Sequence, residues 1–279
     1  MNTPNTDSSK EHIAFIGGGN MASAIMGGLL KQGLPASQIQ VVEPFAEQRA
    51  GLVQQFGVAV SEAPEASLAS ASLVVWAVKP QTFKEAAAQT RPYTQGALHL
   101  SVAAGIRSDS IAQWLGTERV VRSMPNTPAL VGKGMTALFA RPAVTAADRL
   151  AVERVIQTTG EYLWLADETQ LDAVTALSGS GPAYVFYFIE AMEQAGMDMG
   201  LSRAQAHKLA VGTFVGASAL AHASEDPPEV LRARVTSKGG TTYAALTAME
   251  EADIKPQFMR AMEAARKRAV ELGNEFGAA

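Results

Sequence analysis

The sequence predicts an α/β fold in two parts: a doubly wound sheet over residues 12–166 and an all-α region over residues 167–279. Three observations predict it. A glycine turn at Gly17 joins a short apolar run to a helical pattern, strand-like and helix-like runs then alternate as far as Leu165, and strand patterns disappear after Ala166. With 279 residues, 47% hydrophobic and 18% charged, the chain is long enough for two domains with a sizeable core. A net charge of -4 without a run of like charges leaves no footprint for nucleic acid or an anionic membrane. Cysteine is absent, which excludes disulfides, thiolate metal sites and thiol nucleophiles, and fits a reducing compartment. Residues 1–11 are polar and lack the apolar core of a signal peptide, so a disordered tail on a cytoplasmic protein is expected. The most apolar window, residues 209–221, is flanked by Lys208 and His222 and is too short to span a bilayer.

Residues 12–16, HIAFI, end at Gly17-Gly18-Gly19-Asn20-Met21-Ala22, after which apolar residues recur at helical spacing to Lys31 and stop at Gly33. Strand, glycine turn and helix are the context in which G-x-G-x-x-A binds a dinucleotide. The first glycine makes the turn, the second admits the pyrophosphate, and the small third residue lets helix and strand pack closely. The second strand, residues 39–43, ends in Glu43, about twenty residues beyond Ala22, where a ribose-binding acid is expected. The plain alternative is a glycine-rich turn in some other βα unit.

A helix near residues 46–55, a strand at 58–60, a helix near 62–70 and a strand at 73–78 follow. Loops at the carboxyl ends of strands line the ligand crevice of such a sheet, so Val78, Lys79 and Pro80 are expected to face the cofactor, a solvated loop lysine being the alternative for Lys79. A helix near 81–90, a strand at 98–102 ending in Ala103-Ala104-Gly105, and a helix near 108–115 come next; Ala104 is small enough for a nicotinamide ring to lie close. The strand at 120–123 runs into Met124-Pro125-Asn126-Thr127-Pro128, a proline-stiffened rim loop in which Asn126 either meets ligand or holds the turn. Runs at 135–139 and 162–165 bracket a helix and complete a sheet of about eight strands.

Beyond Ala166 helices are separated by residues 178–182, 196–202, 225–228 and 235–242. The helices at 182–195 and 203–223 are apolar on more than one face, and Gly212 and Gly216 permit close backbone contact, so an obligate dimer built from them is expected. In the octapeptide Val235-Thr236-Ser237-Lys238-Gly239-Gly240-Thr241-Thr242 two glycines permit a tight turn, and the hydroxyls of Thr241 and Thr242 are expected to cap the helical pattern over 243–250. Unpaired N–H groups at a helix start suit a carboxylate, and Ser237 and Thr242 add hydroxyls; a capped helix start and nothing more is the alternative.

A nucleotide domain followed by a carboxylate grip describes a reductase of a small acid. His12, His99, His207 and His222 fall in no catalytic arrangement, and no metal-ligand spacing such as HExxH appears. A substrate that already carries a proton, such as a cyclic iminium, needs only orientation and a hydride. The chain resembles the pyrroline-5-carboxylate reductases from Ile16-Gly17-Gly18-Gly19-Asn20-Met21-Ala22 through Ala77-Val78-Lys79-Pro80, Ala103-Ala104-Gly105, Met124-Pro125-Asn126-Thr127-Pro128 and Ser178-Gly179-Ser180-Gly181-Pro182-Ala183-Tyr184 to the octapeptide. The resemblance implies a Rossmann-like dinucleotide-binding domain followed by an all-α dimerisation domain. It further implies reduction of 1-pyrroline-5-carboxylate to L-proline with NADPH or NADH, the last step of proline biosynthesis, by a homodimer commonly assembled into a decamer. By position it implies that Gly17, Gly18, Gly19, Asn20, Met21, Val78, Lys79 and Ala104 hold the cofactor. Glu225, Ser237, Gly240, Thr241 and Thr242 would surround the substrate: the backbone amides of Gly240, Thr241 and Thr242 take its carboxylate, and the Thr242 hydroxyl faces its ring nitrogen. Three positions depart from the family pattern. Glu43 stands where many relatives carry a small polar residue and an arginine suited to a 2′-phosphate, Pro64 replaces an asparagine that often touches the adenosine, and Lys238 replaces a common proline. The first two leave the choice between NADPH and NADH open. The competing readings are a reductase of another small imine or 2-hydroxy acid, the latter disfavoured by the lack of a lysine near Gly181, and a cofactor-sensing dimer without catalysis.

Overall fold

The computed structural model describes residues 11–277. The tail expected over residues 1–11 lies outside them except for Glu11, whose carboxylate pairs with Arg154 at 3.0 Å. Eight strands form one sheet: β1 (Ile13–Ile16), β2 (Ile39–Val42), β3 (Ala59–Ser61), β4 (Leu73–Trp76), β5 (Leu98–Ser101), β6 (Val120–Met124), β7 (Gly134–Ala140) and β8 (Gly160–Trp164). Their spatial order is β3-β2-β1-β4-β5-β6-β7-β8, so the chain reverses direction across the sheet after β3. Strands β1 to β6 pair in parallel; β7 runs antiparallel to β6 and parallel to β8.

Side chains alternate across the central strands and feed two cores, one on each face. Ile13, Phe15, Val41, Val75 and Leu100 pack with Ile25 and Met26 of α1 (Asn20–Lys31) and Val152 of α5 (Ala146–Ile156). Ala14, Ile16, Val74 and Trp76 pack with Phe83 and Ala87 of α3 (Pro80–Thr90) and Ile111 and Leu115 of α4 (Ser108–Leu115). The remaining helix between strands, α2 (Ala46–Phe56), follows β2 and packs Leu52 into the first of these cores, with α1. The helix expected near residues 62–70 is only a 3-10 turn, Ala66–Ser70. Pro64 restrains the backbone before it, and the Ser67 hydroxyl is engaged by Glu65 and Gln40.

The chain divides into two compact units, the first comprising residues up to Ser180 together with those from Ala265 onward, the second Gly181–Ala264. Composition changes at Ala166, but packing changes later, because Glu168 hydrogen-bonds the backbone and hydroxyl of Ser108 at 2.6 Å each and pairs with Arg122 at 2.5 Å. Asp172 of α6 (Gln170–Val174) pairs with Arg107 at 3.1 Å, which holds the same segment to the sheet. Residues 178–182, expected as a break between helices, are instead the end of a π-helical turn, Thr175–Gly179, and the start of α7 (Gly181–Asp198).

The second unit contains α7, α8 (Arg203–Ala223), α9 (Pro228–Arg234), α10 (Thr241–Glu251) and the first part of α11 (Ile254–Gly277). Ser202 and Gln205 form a capping box that starts α8. The close approach of α7 and α8 occurs at Gly196, where a Cβ would lie 2.9 Å from that of Ala206; Gly212 and Gly216 meet nothing within 4 Å in this chain. Phe258 receives Tyr184 and Phe188 edge-on, at centroid distances of 5.5 and 5.6 Å. Among the residues of α8 only Ala206 and Ala210 are buried. Phe186 is 64% exposed and Val215 66% exposed, so the apolar faces read from the sequence lie open on a single chain.

Candidate active site

The turn between β1 and α1 is built from its glycines outward. Gly17 has φ +93°, and a Cβ there would lie 2.7 Å from the Ala77 carbonyl oxygen, so no other residue fits. Its N–H donates to the Val42 carbonyl at 2.8 Å. Gly19, the N-cap residue of α1, is exposed with open space around it. The N–H groups of Asn20, Met21 and Ala22 meet no acceptor among the described residues, and the first turn carries no acidic side chain. A positive helix end with free donors and room beside it fits a pyrophosphate. Ala22 is fully buried where helix meets strand.

Glu43 closes this cradle from the end of β2. Its carboxylate accepts the Gly18 N–H at 2.9 Å on Oε2 and the Phe45 N–H at 3.0 Å on Oε1, and the residue is only 5% exposed. Arg49 is folded against the chain, donating to the carbonyls of Glu43 and Pro44 at 3.0 and 2.7 Å and pairing with Glu62 at 3.1 Å. Gln48 donates to the Gly18 carbonyl at 2.7 Å. The structure therefore brings Gly17, Gly18, Gly19, Asn20, Met21 and Glu43 together.

Along the same rim Val78 is half-buried, Lys79 is exposed at the N-cap of α3, and Pro80 occupies its first turn. Ala104 follows β5 and is half-buried. Asn126 is used otherwise. Its Oδ1 accepts the Met135 N–H at 2.9 Å and its Nδ2 donates to the Ser178 carbonyl at 3.1 Å, so the amide holds the rim loop and leaves the set of expected cofactor contacts.

Sequence reasoning missed the buried ion network behind this rim. Arg122, which follows Val120 and Val121 on β6, has its pKa lowered by burial, a loss partly offset by the Glu168 carboxylate. Also unforeseen is His99 in the core, 1% exposed, whose Nδ1 accepts the Trp76 Nε1–H at 3.0 Å. Burial pushes its pKa down to about 4, so the ring is neutral. Neither partnership has a local signal, since Arg122 and Glu168 are far apart in the chain and one histidine in a strand looks like any other.

In the helical unit the octapeptide turns at Gly239, φ +75°, and leads into α10. The expected capping by Thr241 and Thr242 does not occur: Gly240 is the N-cap, no side chain caps it, and both threonines lie in the first helical turn. The Gly240 N–H is already donated to the Ser237 carbonyl at 3.0 Å, so it does not join the free donors. Those are the N–H groups of Thr241, Thr242 and Tyr243, which meet no acceptor among the described residues; all three side chains are exposed. Glu225 is exposed in the turn after α8, and an ion pair of 2.5 Å between Asp226 and Arg234 ties that turn to the residue preceding the octapeptide.

A glycine cradle closed by an acid on a doubly wound sheet, followed by a helical unit with a donor-rich helix start, defines a dinucleotide-dependent oxidoreductase with a separate helical domain. A family profile described as pyrroline-5-carboxylate reductase dimerisation matches residues 168–272, and one described as NADP oxidoreductase coenzyme F420-dependent matches residues 12–105. The Pseudomonas aeruginosa pyrroline-5-carboxylate reductase is 44% identical over 96% of this chain and 99% of its own length. The solved Coxiella burnetii pyrroline-5-carboxylate reductase superposes with a TM-score of 0.88 at 35% identity, covering 94% of this chain and 98% of that one. The Plasmodium falciparum pyrroline carboxylate reductase, solved with NADP bound, gives a TM-score of 0.85 at 28% identity over 94% of this chain and 98% of that one. The chain belongs to the pyrroline-5-carboxylate reductase family. Among the described residues no helix is long and apolar enough to cross a membrane.

Proposed function

We propose that this protein reduces 1-pyrroline-5-carboxylate to L-proline, the last step of proline biosynthesis, using NADPH or NADH in the cytoplasm. The observation that carries the reading, within the family assignment, is the N-terminus of α10 with its unpaired N–H groups. Such a helix end suits a small carboxylate through its positive dipole and its donors. Thr241 and Thr242 supply amides, Ser237 and Gly240 shape the turn, and Glu225 borders it. The Thr242 hydroxyl orients the ring nitrogen. No general acid is needed, because a protonated cyclic imine brings its own proton.

The dinucleotide supplies a hydride when bound. Gly17 to Met21 hold its pyrophosphate, Glu43 its adenosine ribose, and Val78, Lys79, Pro80 and Ala104 flank the nicotinamide. The free donors at Asn20 to Ala22 and the open space at Gly19 support this fit. The exposed apolar faces of α7 and α8 and the match to a dimerisation domain support a homodimer; its further assembly into a decamer is proposed with it. The test follows NADPH and NADH oxidation with 1-pyrroline-5-carboxylate and identifies proline by mass spectrometry. Oxidation of neither cofactor, or oxidation without proline, overturns the reading.

A further inference from the structure

We propose that Glu43 is a specificity-determining residue that shapes the adenosine-ribose subsite for a free 2′-hydroxyl, so that NADH binds at least as tightly as NADPH. The proposal rests on the dinucleotide reading of the glycine cradle and deepens it. An acid at the end of the second strand of such a fold is placed to accept from ribose hydroxyls. Glu43 is 5% exposed and pinned by the N–H groups of Gly18 and Phe45, so it cannot swing away from an incoming phosphate. Each of its oxygens keeps a further lone pair for a hydroxyl, whereas a 2′-phosphate brings only negative charge and acceptors.

The cation that could offset this charge is Arg49, and it is committed. It holds the carbonyls of Glu43 and Pro44 and the carboxylate of Glu62, and turning to a phosphate would break these contacts. Glu47 adds another carboxylate in the first turn of α2, so the acids around this strand end outnumber Arg49. Lys79 follows β4, two strand positions from β2, which places its backbone about 10 Å away across the sheet. A site of this kind discriminates by repulsion as much as by attraction.

The experiment measures dissociation constants of NADH and NADPH by the fluorescence of the bound dinucleotide, in wild type, Glu43→Ser, Glu43→Gln and Arg49→Ala, without substrate. The wild type should hold NADH at least as tightly as NADPH. Both Glu43 variants should shift the ratio toward NADPH by about 10- to 100-fold, while Arg49→Ala moves it by less than about 3-fold. Glu43→Gln keeps the volume of the side chain and so guards against collapse of the glycine turn. A wild type that holds NADPH more tightly, a ratio unmoved in both Glu43 variants, or a selective loss of NADPH in Arg49→Ala overturns the proposal. Because no substrate is present, a protein that binds dinucleotides with this preference yet fails to make proline would sink the reaction and leave the inference standing.

Discussion

The sheet unit and the helical unit treat their apolar residues in opposite ways. In the first, every residue of β1 and β4 is buried, and Trp76 is stacked on Phe83 at 4.8 Å with its indole N–H satisfied by His99. In the second, Phe186, Tyr187, Val215 and Leu220 are exposed although α7 and α8 run side by side. A parallel sheet with helices on both faces can bury its apolar positions within one chain. A handful of helices apolar on several faces cannot, so on a single chain that apolar surface stays open. The match of residues 168–272 to a dimerisation domain agrees with that division.

The strongest way to break the comparison is Gly216→Glu. Since Gly216 meets nothing within 4 Å in its own chain, the change should leave the single-chain fold intact and act through association alone. Sedimentation is expected to show loss of the soluble, active oligomer; an active, soluble wild-type monomer, or an unchanged assembly in the variant, would end the interface assignment.

A change of the opposite kind titrates the sheet core. His99 is neutral when folded, with a pKa near 4, while the unfolded chain protonates the same ring near 6.5. The unfolded state therefore binds the extra proton in between. The stability contributed by the neutral ring is complete above about pH 6.5 and is lost as pH falls through that window, by about 3 kcal/mol at pH 4. Thermal midpoints measured across this range should fall more steeply for wild type than for His99→Gln, which does not titrate. Parallel slopes would show that the buried ring carries no such linkage.

The smallest expected effect concerns neither core nor interface. Thr242 is exposed in the first turn of α10, and its hydroxyl caps nothing, so Thr242→Val should leave stability and assembly unchanged. Removing one hydrogen bond to a charged ring nitrogen should cost about 1 to 3 kcal/mol, or roughly 10- to 100-fold in kcat/KM. The pH profile should keep its shape, because no titrating group is removed. An unaltered kcat/KM would return Thr242 to an ordinary helix residue.

Much of the sheet unit was legible because its signals are local. The helix expected near 108–115 is α4, Ser108–Leu115, and the strand expected at 120–123 is β6 with Met124 added. The failures share a cause. Residues 62–70 carry helical periodicity, yet Pro64 and the Ser67 hydroxyl divert the backbone, and Thr241 and Thr242 have capping chemistry one turn position too late, because Gly240 takes the N-cap. Asn126 was readable as a turn residue or a ligand contact, and only the positions of Met135 and Ser178 decide between them.

By itself the sequence determined the alternation of strands and helices, the glycine turn with its acid at the end of β2, and the change to an all-helical chain after Ala166. Each follows from periodicity or from a short spacing, which act between neighbours in the chain. Only the tertiary structure decided that residues 167–180 belong with the sheet, that the Glu43 carboxylate is pinned by Gly18 and Phe45, and that Arg49 is occupied by Glu62. Those outcomes depend on which charges and donors meet across the fold. A buried charge takes the partner that packing brings within hydrogen-bond reach, and no local pattern records which one that is.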